Sequence, residues 1–214
     1  LNAFRQVGAK IKENKDVFSI CLANPTNSNV ILQEKSVTAT ENIVLYAAGV
    51  PVKTKIENCA IEPEITDLLH QLVKAGCRIK GIGERSVEII GSKDLSIDEF
   101  TVMPDRIEAG TFAAAFISTG GQGEISPFPA ESLTSFLDIL EDCGAKIKIK
   151  DDTAIVSGGG KLKPFKISTA PYPDFPTDLQ SPMSLIAACA EGESIIIENM
   201  FENRLFYLNE LKKM

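Results

Sequence analysis

The sequence contains no tryptophan and only three tyrosines, and its formal net charge is −7. The absence of tryptophan and the small number of tyrosines leave few surfaces of these two kinds on which nucleic-acid bases can stack. A net negative chain also lacks the excess of lysine and arginine that displaces counterions from nucleic acid or attracts an acidic membrane. We therefore expect no nucleic acid and no membrane among the partners, and an anionic ligand must meet a local positive site.

Cysteine pairs and long apolar runs are also missing. The five cysteines form no C-x-x-C pair and their number is odd, which favours neither a zinc site nor a disulfide framework. The longest wholly apolar run, residues 43–52, is far shorter than the ~20 residues of a membrane-spanning helix. The first residues show no signal-peptide pattern. These features predict a reducing, cytoplasmic location.

Two familiar catalytic patterns are incomplete. The single histidine, His70, leaves no Ser-His-Asp or Cys-His set within this chain. The stretch SGGGK at residues 157–161 has no serine or threonine after its lysine, so it predicts a turn and not a phosphate-binding loop.

What the sequence does contain is an internal repeat. Gly8, Gly76 and Gly144 recur at equal spacings of 68 residues, each after a stretch with helical apolar spacing and before a short alternating stretch. This pattern predicts an amphipathic helix that ends at a left-handed glycine and leads into a strand. A fourth copy begins at residues 208–214, and both ends of the chain fall within this helix, so we expect a segment of a longer protein.

Each repeat also holds a second, alanine-rich helix that is apolar on nearly all sides, which predicts burial. These helices are predicted at residues 38–49, 105–120 and 177–192. The order of strands and helices argues for an α/β fold. The predicted capping pairs are Thr38 with Glu41, Asp105 with Glu108, and Thr177 with Gln180. If the repeats surround a common axis, these helix N-termini converge on one face and form a site for phosphate.

The stretch PYPDFPTDLQ at residues 171–180 holds three prolines and predicts a stiff loop. Asp178, at its end, has two open roles: a cap for the next helix or a carboxylate held for chemistry. Pro182 would clash inside a helix that began at Thr177, so the helix is also compatible with a start at Ser181, with Asp178 in the loop.

Arg106 and Arg204 lie in or beside predicted first helical turns, where the helix dipole disfavours a cation. Their position is explained either by an anionic ligand or by local pairing with Asp105 and Glu202.

Four motifs taken together resemble the UDP-N-acetylglucosamine enolpyruvyl transferases (UDP-N-acetylglucosamine 1-carboxyvinyltransferases). They are SVTATEN at residues 36–42, PDRIEAGT at 104–111, TAPYPDFPTD at 169–178 and FENR at 201–204. The resemblance implies repeated strand-helix units in an inside-out α/β barrel, in two domains that are both partial here. Residues 1–104 would form the latter part of one domain and residues 105–214 the larger part of the second.

The resemblance also implies an activity. Members of this family transfer the enolpyruvyl group of phosphoenolpyruvate to the 3′-hydroxyl of UDP-N-acetylglucosamine, with release of phosphate, in peptidoglycan precursor synthesis. No metal and no organic cofactor is implied. The missing remainder of the chain would be a partner of this segment, which we expect to be inactive alone. The alternative is a noncatalytic binding or scaffold module with the same repeat fold.

The matching positions carry roles over from the family. Asp178 matches a carboxylate that accepts the proton of the sugar hydroxyl, and Arg204 matches an arginine near the phosphoenolpyruvate site. Ser36 and Val37 match contacts to the uridine nucleotide, and Met200 matches a contact to the sugar nucleotide. Arg106, at the domain crossing, is predicted to have a gating or structural role. The positions that depart from the family pattern are Glu34, Thr38, Tyr172 and Pro182.

Overall fold

The computed structural model describes residues 1–15, 17–22 and 24–214. The chain forms two compact units, Leu1–Met103 and Pro104–Met214. That each unit is part of a larger domain of three repeats remains a prediction.

The first unit is built on a four-stranded sheet with the order β3-β4-β6-β5. Strands β3 and β4 run parallel, whereas β6 is antiparallel to both of its neighbours. Strands β1 and β2 form a separate antiparallel hairpin. The elements are α1 Asn2–Gln6, β1 Lys10–Asn14, β2 Val17–Cys21, β3 Ser28–Ile31, α2 Val37–Ala48, β4 Lys53–Glu57, α3 Pro63–Lys74, β5 Arg78–Lys80 and β6 Ser86–Ile90.

The second unit contains a three-stranded antiparallel sheet with the order β7-β9-β8 and a parallel pair, β10-β11. Two short 3₁₀ turns, Ala130–Leu133 and Thr177–Leu179, each lead directly into a helix. The other elements are α4 Arg106–Thr119, β7 Gln122–Ile125, α5 Thr134–Asp142, β8 Lys146–Lys150, β9 Thr153–Ser157, β10 Lys166–Ser168, α6 Gln180–Cys189, β11 Ile195–Ile197 and α7 Leu208–Leu211.

The repeated glycines adopt the backbone conformation that the sequence predicts. The φ angles of Gly8, Gly76 and Gly144 are +87°, +114° and +82°. In this left-handed region a residue with a Cβ is strained, which explains why glycine stands at the end of each amphipathic helix.

Helices α4 and α6 pack side by side and run in the same direction. Near their N-terminal ends Gly110 lies against the side chain of Leu179, and near their C-terminal ends the Cys189 thiol donates to the Ser118 carbonyl at 3.5 Å. Ala113 of α4 and Met183 of α6 belong to one buried apolar cluster, together with Phe136 of α5. The packing therefore brings the N-termini of α4 and α6 to the same end of the second unit.

Burial of the alanine-rich helices is less complete than the sequence predicts. Leu45 of α2, Phe112 of α4 and Leu185 of α6 are 54%, 53% and 41% exposed. A groove of about 330 Å³ lies between α4 and α6, and its walls are mainly apolar. Each helix thus buries one face against its own unit and leaves apolar side chains exposed on another.

Two of the three predicted capping pairs are wrong. Helix α2 is capped by Ser36, whose hydroxyl accepts from the Ala39 amide at 3.3 Å, because the helix begins at Val37 and not after Thr38. Asp105 caps α4 as predicted and accepts from the amides of Ile107 and Glu108. The Thr177 hydroxyl does not cap α6; it donates instead to the carboxylate of Glu198.

Candidate active site

Asp178 lies in the 3₁₀ turn Thr177–Leu179, directly after the proline-rich loop. The predicted start of the α-helix at Thr177 is therefore wrong, and so is the alternative start at Ser181 with Asp178 wholly in the loop. Helix α6 begins at Gln180, and the residue before it, Leu179, makes no side-chain capping bond. Pro182 occupies the first turn of α6, where a backbone N–H has no partner within the helix, so the proline is tolerated there. Asp178 is therefore not a helix cap.

Arg204 pairs with Asp178. Guanidinium Nη2 of Arg204 contacts Oδ1 of Asp178, and the guanidinium lies over the ring of Phe201, 5.1 Å from its centre. The local alternative, pairing with Glu202, is wrong because the structure gives Asp178 as the ion-pair partner. The side chains of Asp178 and Arg204 are 54% and 35% exposed, so both can reach a ligand in solvent.

Glu198 is a site residue that the sequence prediction missed. It follows strand β11 directly, and its half-buried carboxylate accepts five hydrogen bonds. The donors are Thr169 Oγ1 at 3.0 Å, Thr177 Oγ1 at 2.7 Å, Gln180 Nε2 at 3.2 Å, the Met200 amide at 2.7 Å and the Phe201 amide at 3.1 Å. Glu198 thus links the turn that carries Asp178 to the turn that carries Met200 and Arg204.

Opposing effects act on the pKa of Glu198. Burial raises the pKa, whereas hydrogen bonds from Thr177, the Met200 amide, Thr169 and the Phe201 amide lower it. The hydrogen bonds prevail and the pKa lies below the usual value for glutamate. The carboxylate is therefore held in its charged form by the groups that it organises.

Buried polar side chains support this arrangement from behind. Gln180 and Thr169 are fully buried. Gln180 donates to Glu198 and accepts from the Tyr207 hydroxyl at 2.7 Å. The Thr169 hydroxyl also accepts from the Asn199 amide at 2.9 Å, and the Asn199 side chain donates to the Thr169 carbonyl at 3.0 Å. These hydrogen bonds connect the end of β11 to the segment that precedes the proline-rich loop.

Arg106 begins helix α4 and is only 6% exposed. Its guanidinium lies over the ring of Tyr172, 5.6 Å from the centre, at a distance typical of a cation–π contact. Tyr172 is one of the positions that depart from the family pattern, and it lies in the proline-rich loop. Arg106 thus connects the start of α4 to the loop that leads to Asp178.

Ser36 and Val37 belong to the first unit, where they start helix α2. The Ser36 carbonyl accepts from the Thr40 amide at 3.0 Å and from the Thr40 hydroxyl at 2.8 Å, and Val37 is half-buried. Asp178, Met200, Arg204 and Arg106 belong to the second unit. Within that unit the structure brings together Asp178, Arg204 and the backbone of Met200 around Glu198.

The remaining sequence signals have ordinary places in the fold. The SGGGK stretch begins at Ser157, the last residue of β9, and continues as irregular chain, with the Gly158 amide donating to the Gly121 carbonyl at 2.6 Å beside the β7–β9 pairing. No helix follows it, as a phosphate-binding loop would require, but the stretch extends a strand and does not form the predicted turn. Across the described ranges no three histidine, cysteine, aspartate or glutamate side chains are grouped as metal ligands would be. Within the same ranges, no helix combines the length and the apolar character needed to cross a membrane.

Comparison with known proteins identifies close sequence relatives. One is the UDP-N-acetylglucosamine 1-carboxyvinyltransferase 1 of Caldanaerobacter subterraneus subsp. tengcongensis, which is 41% identical over 214 residues and covers 100% of this chain and 52% of the relative. Another is the UDP-N-acetylglucosamine 1-carboxyvinyltransferase of Koribacter versatilis, 37% identical over 214 residues, with 100% and 49% covered. These relatives confirm the resemblance that the motifs predict. The chain spans about half the length of the curated relatives that it matches.

Solved structures confirm the predicted fold type. The enolpyruvyl transferase NikO from Streptomyces tendae superimposes with a TM-score of 0.85 at 21% identity, over 98% of this chain and 53% of NikO. EPSP synthase from Acinetobacter baumannii gives a TM-score of 0.60 at 18% identity, over 96% and 50%. The model of the family described as EPSP synthase (3-phosphoshikimate 1-carboxyvinyltransferase) matches residues 1–214. The chain therefore belongs to the EPSP synthase (3-phosphoshikimate 1-carboxyvinyltransferase) family.

Proposed function

We propose that this chain is a segment of a cytoplasmic enzyme that transfers the enolpyruvyl group of phosphoenolpyruvate to the 3′-hydroxyl of UDP-N-acetylglucosamine. Phosphate is released, and the product enters peptidoglycan precursor synthesis. The observation that carries the proposal is the pairing of Asp178 with Arg204, each on a motif shared with the transferases. The names of the curated relatives support the choice of acceptor.

Asp178 serves as the base in this proposal. The sugar hydroxyl oxygen forms a bond to C2 of phosphoenolpyruvate while its proton passes to the Asp178 carboxylate, and a general acid elsewhere in the full-length parent donates a proton to C3. Phosphate then leaves from C2, and the conjugate base of that acid takes a proton from C3, which restores the double bond. A base must stand within hydrogen-bond reach of its proton. The proline-rich loop and the 3₁₀ turn hold the exposed Asp178 carboxylate in a fixed position, which suits this task.

Arg204 binds an anionic group of phosphoenolpyruvate. Its planar guanidinium presents paired N–H donors that match a carboxylate or a phosphate. An ion pair this exposed contributes only about 0–1 kcal/mol, so an anionic substrate can exchange with Asp178 at little cost. The same exchange frees the Asp178 carboxylate to face the acceptor hydroxyl.

The other predicted residues complete the substrate contacts. Ser36 and Val37, at the start of helix α2, bind the uridine nucleotide. Met200 contacts the sugar nucleotide, and its position is fixed through the bond from its amide to Glu198. Arg106 acts as a gating residue through its contact with the proline-rich loop.

The test is phosphate release from phosphoenolpyruvate by the full-length parent protein with two acceptors in parallel, UDP-N-acetylglucosamine and 3-phosphoshikimate. We expect release with UDP-N-acetylglucosamine alone. Release with 3-phosphoshikimate alone would overturn the choice of acceptor. Release with neither, from a protein that still binds UDP-N-acetylglucosamine, would favour the noncatalytic module.

A further inference from the structure

We propose that Glu198 is a positioning residue for the reaction: its carboxylate fixes Asp178 and Arg204 relative to each other by binding the two turns that carry them. This inference rests on the proposed function, because it concerns the geometry of the same two groups. Glu198 itself contacts neither Asp178 nor Arg204 through its carboxylate, and we assign it no direct contact with substrate.

The two carboxylate oxygens of Glu198 accept hydrogen bonds from different turns. Oε2 accepts from the Thr177 hydroxyl, next to Asp178, and from Gln180. Oε1 accepts from the amides of Met200 and Phe201, in the turn that ends at Arg204, and from Thr169. A single planar group thus spans from one turn to the other.

These contacts close a ring of interactions. Glu198 binds the Phe201 amide, the Phe201 ring lies under the Arg204 guanidinium, and Arg204 pairs with Asp178. Asp178 follows Thr177, whose hydroxyl returns to Glu198. Each residue of this ring is linked to two others. A change at Glu198 is therefore expected to alter the distance between the side chains of Asp178 and Arg204.

A carboxylate suits this position because all five partners donate to it, and three of them, the amides of Met200 and Phe201 and the Gln180 NH₂ group, can only donate. Glutamine has the same shape but presents one NH₂ group in place of an acceptor oxygen. The amides of Met200 and Phe201 can only donate, so the glutamine oxygen must face them. Its NH₂ group then faces the Thr177 hydroxyl, which can rotate to accept, and the Gln180 NH₂ group, which cannot accept and whose own oxygen already accepts from Tyr207. A donor–donor contact therefore remains on the side of the Asp178 turn. Glu198→Gln should therefore loosen the Asp178 turn and leave the Arg204 turn in place.

The experiment measures kcat and KM in the full-length parent with six variants. We expect Glu198→Gln to lower kcat about 10- to 100-fold, with the KM for phosphoenolpyruvate changed less than about threefold, because only the Asp178 side is displaced. Thr177→Val removes the hydroxyl contact to Glu198 and should lower kcat about 10-fold, whereas Thr177→Ser keeps the hydroxyl and should stay within about threefold of native. The control is Glu193→Gln, an exposed glutamate five residues earlier, which should be near native.

The fifth variant combines Glu198→Gln with Asp178→Asn, and the sixth carries Asp178→Asn alone. If Glu198 acts through Asp178, the double variant should lose less than about threefold beyond Asp178→Asn alone. The inference would be overturned if the loss of kcat in the double variant equalled the product of the losses in the two single variants. A native kcat in Glu198→Gln would also overturn it.

The positioning role of Glu198 can still be tested if the Glu198→Gln variant does not fold. If Glu198→Gln does not fold, native kcat in Thr177→Val overturns the inference, and a loss of kcat that Thr177→Ser restores supports it. The proposed function is tested separately. Native turnover in Asp178→Asn would overturn the role of Asp178 as the base. Native turnover in Glu198→Gln, together with a large loss of turnover in Asp178→Asn, would overturn only the positioning role of Glu198.

Discussion

The guanidinium of Arg204 pairs with the carboxylate of Asp178, although the two residues are 26 positions apart in the chain. Each stands on a short turn at one end of the second unit, and Glu198 binds both turns. The pair combines a carboxylate that can accept a proton with a cation that can hold an anionic substrate.

Arg204→Lys should weaken the binding of phosphoenolpyruvate by the full-length parent. Lysine keeps the positive charge but loses the planar fork of donors, so we expect the KM for phosphoenolpyruvate to rise about tenfold. Steady-state kinetics with phosphoenolpyruvate as the varied substrate measure this effect. The matched control is Arg78→Lys, at an exposed position of β5 in the first unit. An unchanged KM in Arg204→Lys would argue against a role in substrate binding.

The isolated 214 residues should show no transferase activity. Catalysis by positioning requires all reacting groups in one site, and the chain covers only about half the length of its curated relatives. The measurement is phosphate release from phosphoenolpyruvate in the presence of UDP-N-acetylglucosamine. Acceptor-dependent release by this chain alone would contradict the expectation.

The contribution of Glu198 to stability should depend on pH. Its pKa in the folded state lies below the usual value for glutamate, so its charged form stabilises the fold at neutral pH, and this contribution is lost as the pH falls through the folded-state pKa. We expect the urea midpoint of Glu198→Gln to lie below that of the native chain at about pH 7, and the difference to shrink by about pH 3. A difference of the same size at both pH values would contradict this account. Glu193→Gln serves as the control.

Gly110→Ala should destabilise the second unit. A Cβ at this position would lie 2.8 Å from a methyl carbon of Leu179, which is fully buried. Overpacking costs about 1–3 kcal/mol, which is more than the ~1 kcal/mol that alanine adds to a helix. Leu179 follows Asp178, so turnover of the parent should fall as well. Gly160→Ala, where an added Cβ meets no atom within 4 Å, is the control for denaturant unfolding. Unchanged stability in Gly110→Ala would show that Leu179 can move freely.

Local sequence patterns predicted the features that depend on local geometry. The spacing of Gly8, Gly76 and Gly144 predicted three helix ends because glycine readily adopts their left-handed conformation. Asp105 was found as a cap because its partners are two and three residues away. At α2 two capping residues, Ser36 and Thr38, compete, and the sequence alone does not fix where the helix begins.

The part of the site that was missed depends on contacts across long stretches of chain. Glu198 binds Thr169 across 29 residues and Gln180 across 18. The periodicity of a helix or a strand does not relate positions this far apart in the chain. Their proximity depends on the parallel pairing of β10 with β11. One signal was present: a glutamate directly after the apolar strand β11 is a half-buried charge that requires donors. The pairing of Arg204 with Asp178 instead of Glu202 has the same long-range origin.

Asp178→Asn in the full-length parent tests the central claim most directly. Asparagine keeps the shape of the side chain but cannot take up a proton, so kcat should fall about 10²–10⁴-fold while the protein folds normally. Asp174→Asn, at an exposed position in the same proline-rich loop, is the matched control and should turn over at the native rate. A normally folded Asp178→Asn variant that turns over at nearly the native rate would show that the carboxylate is not the base.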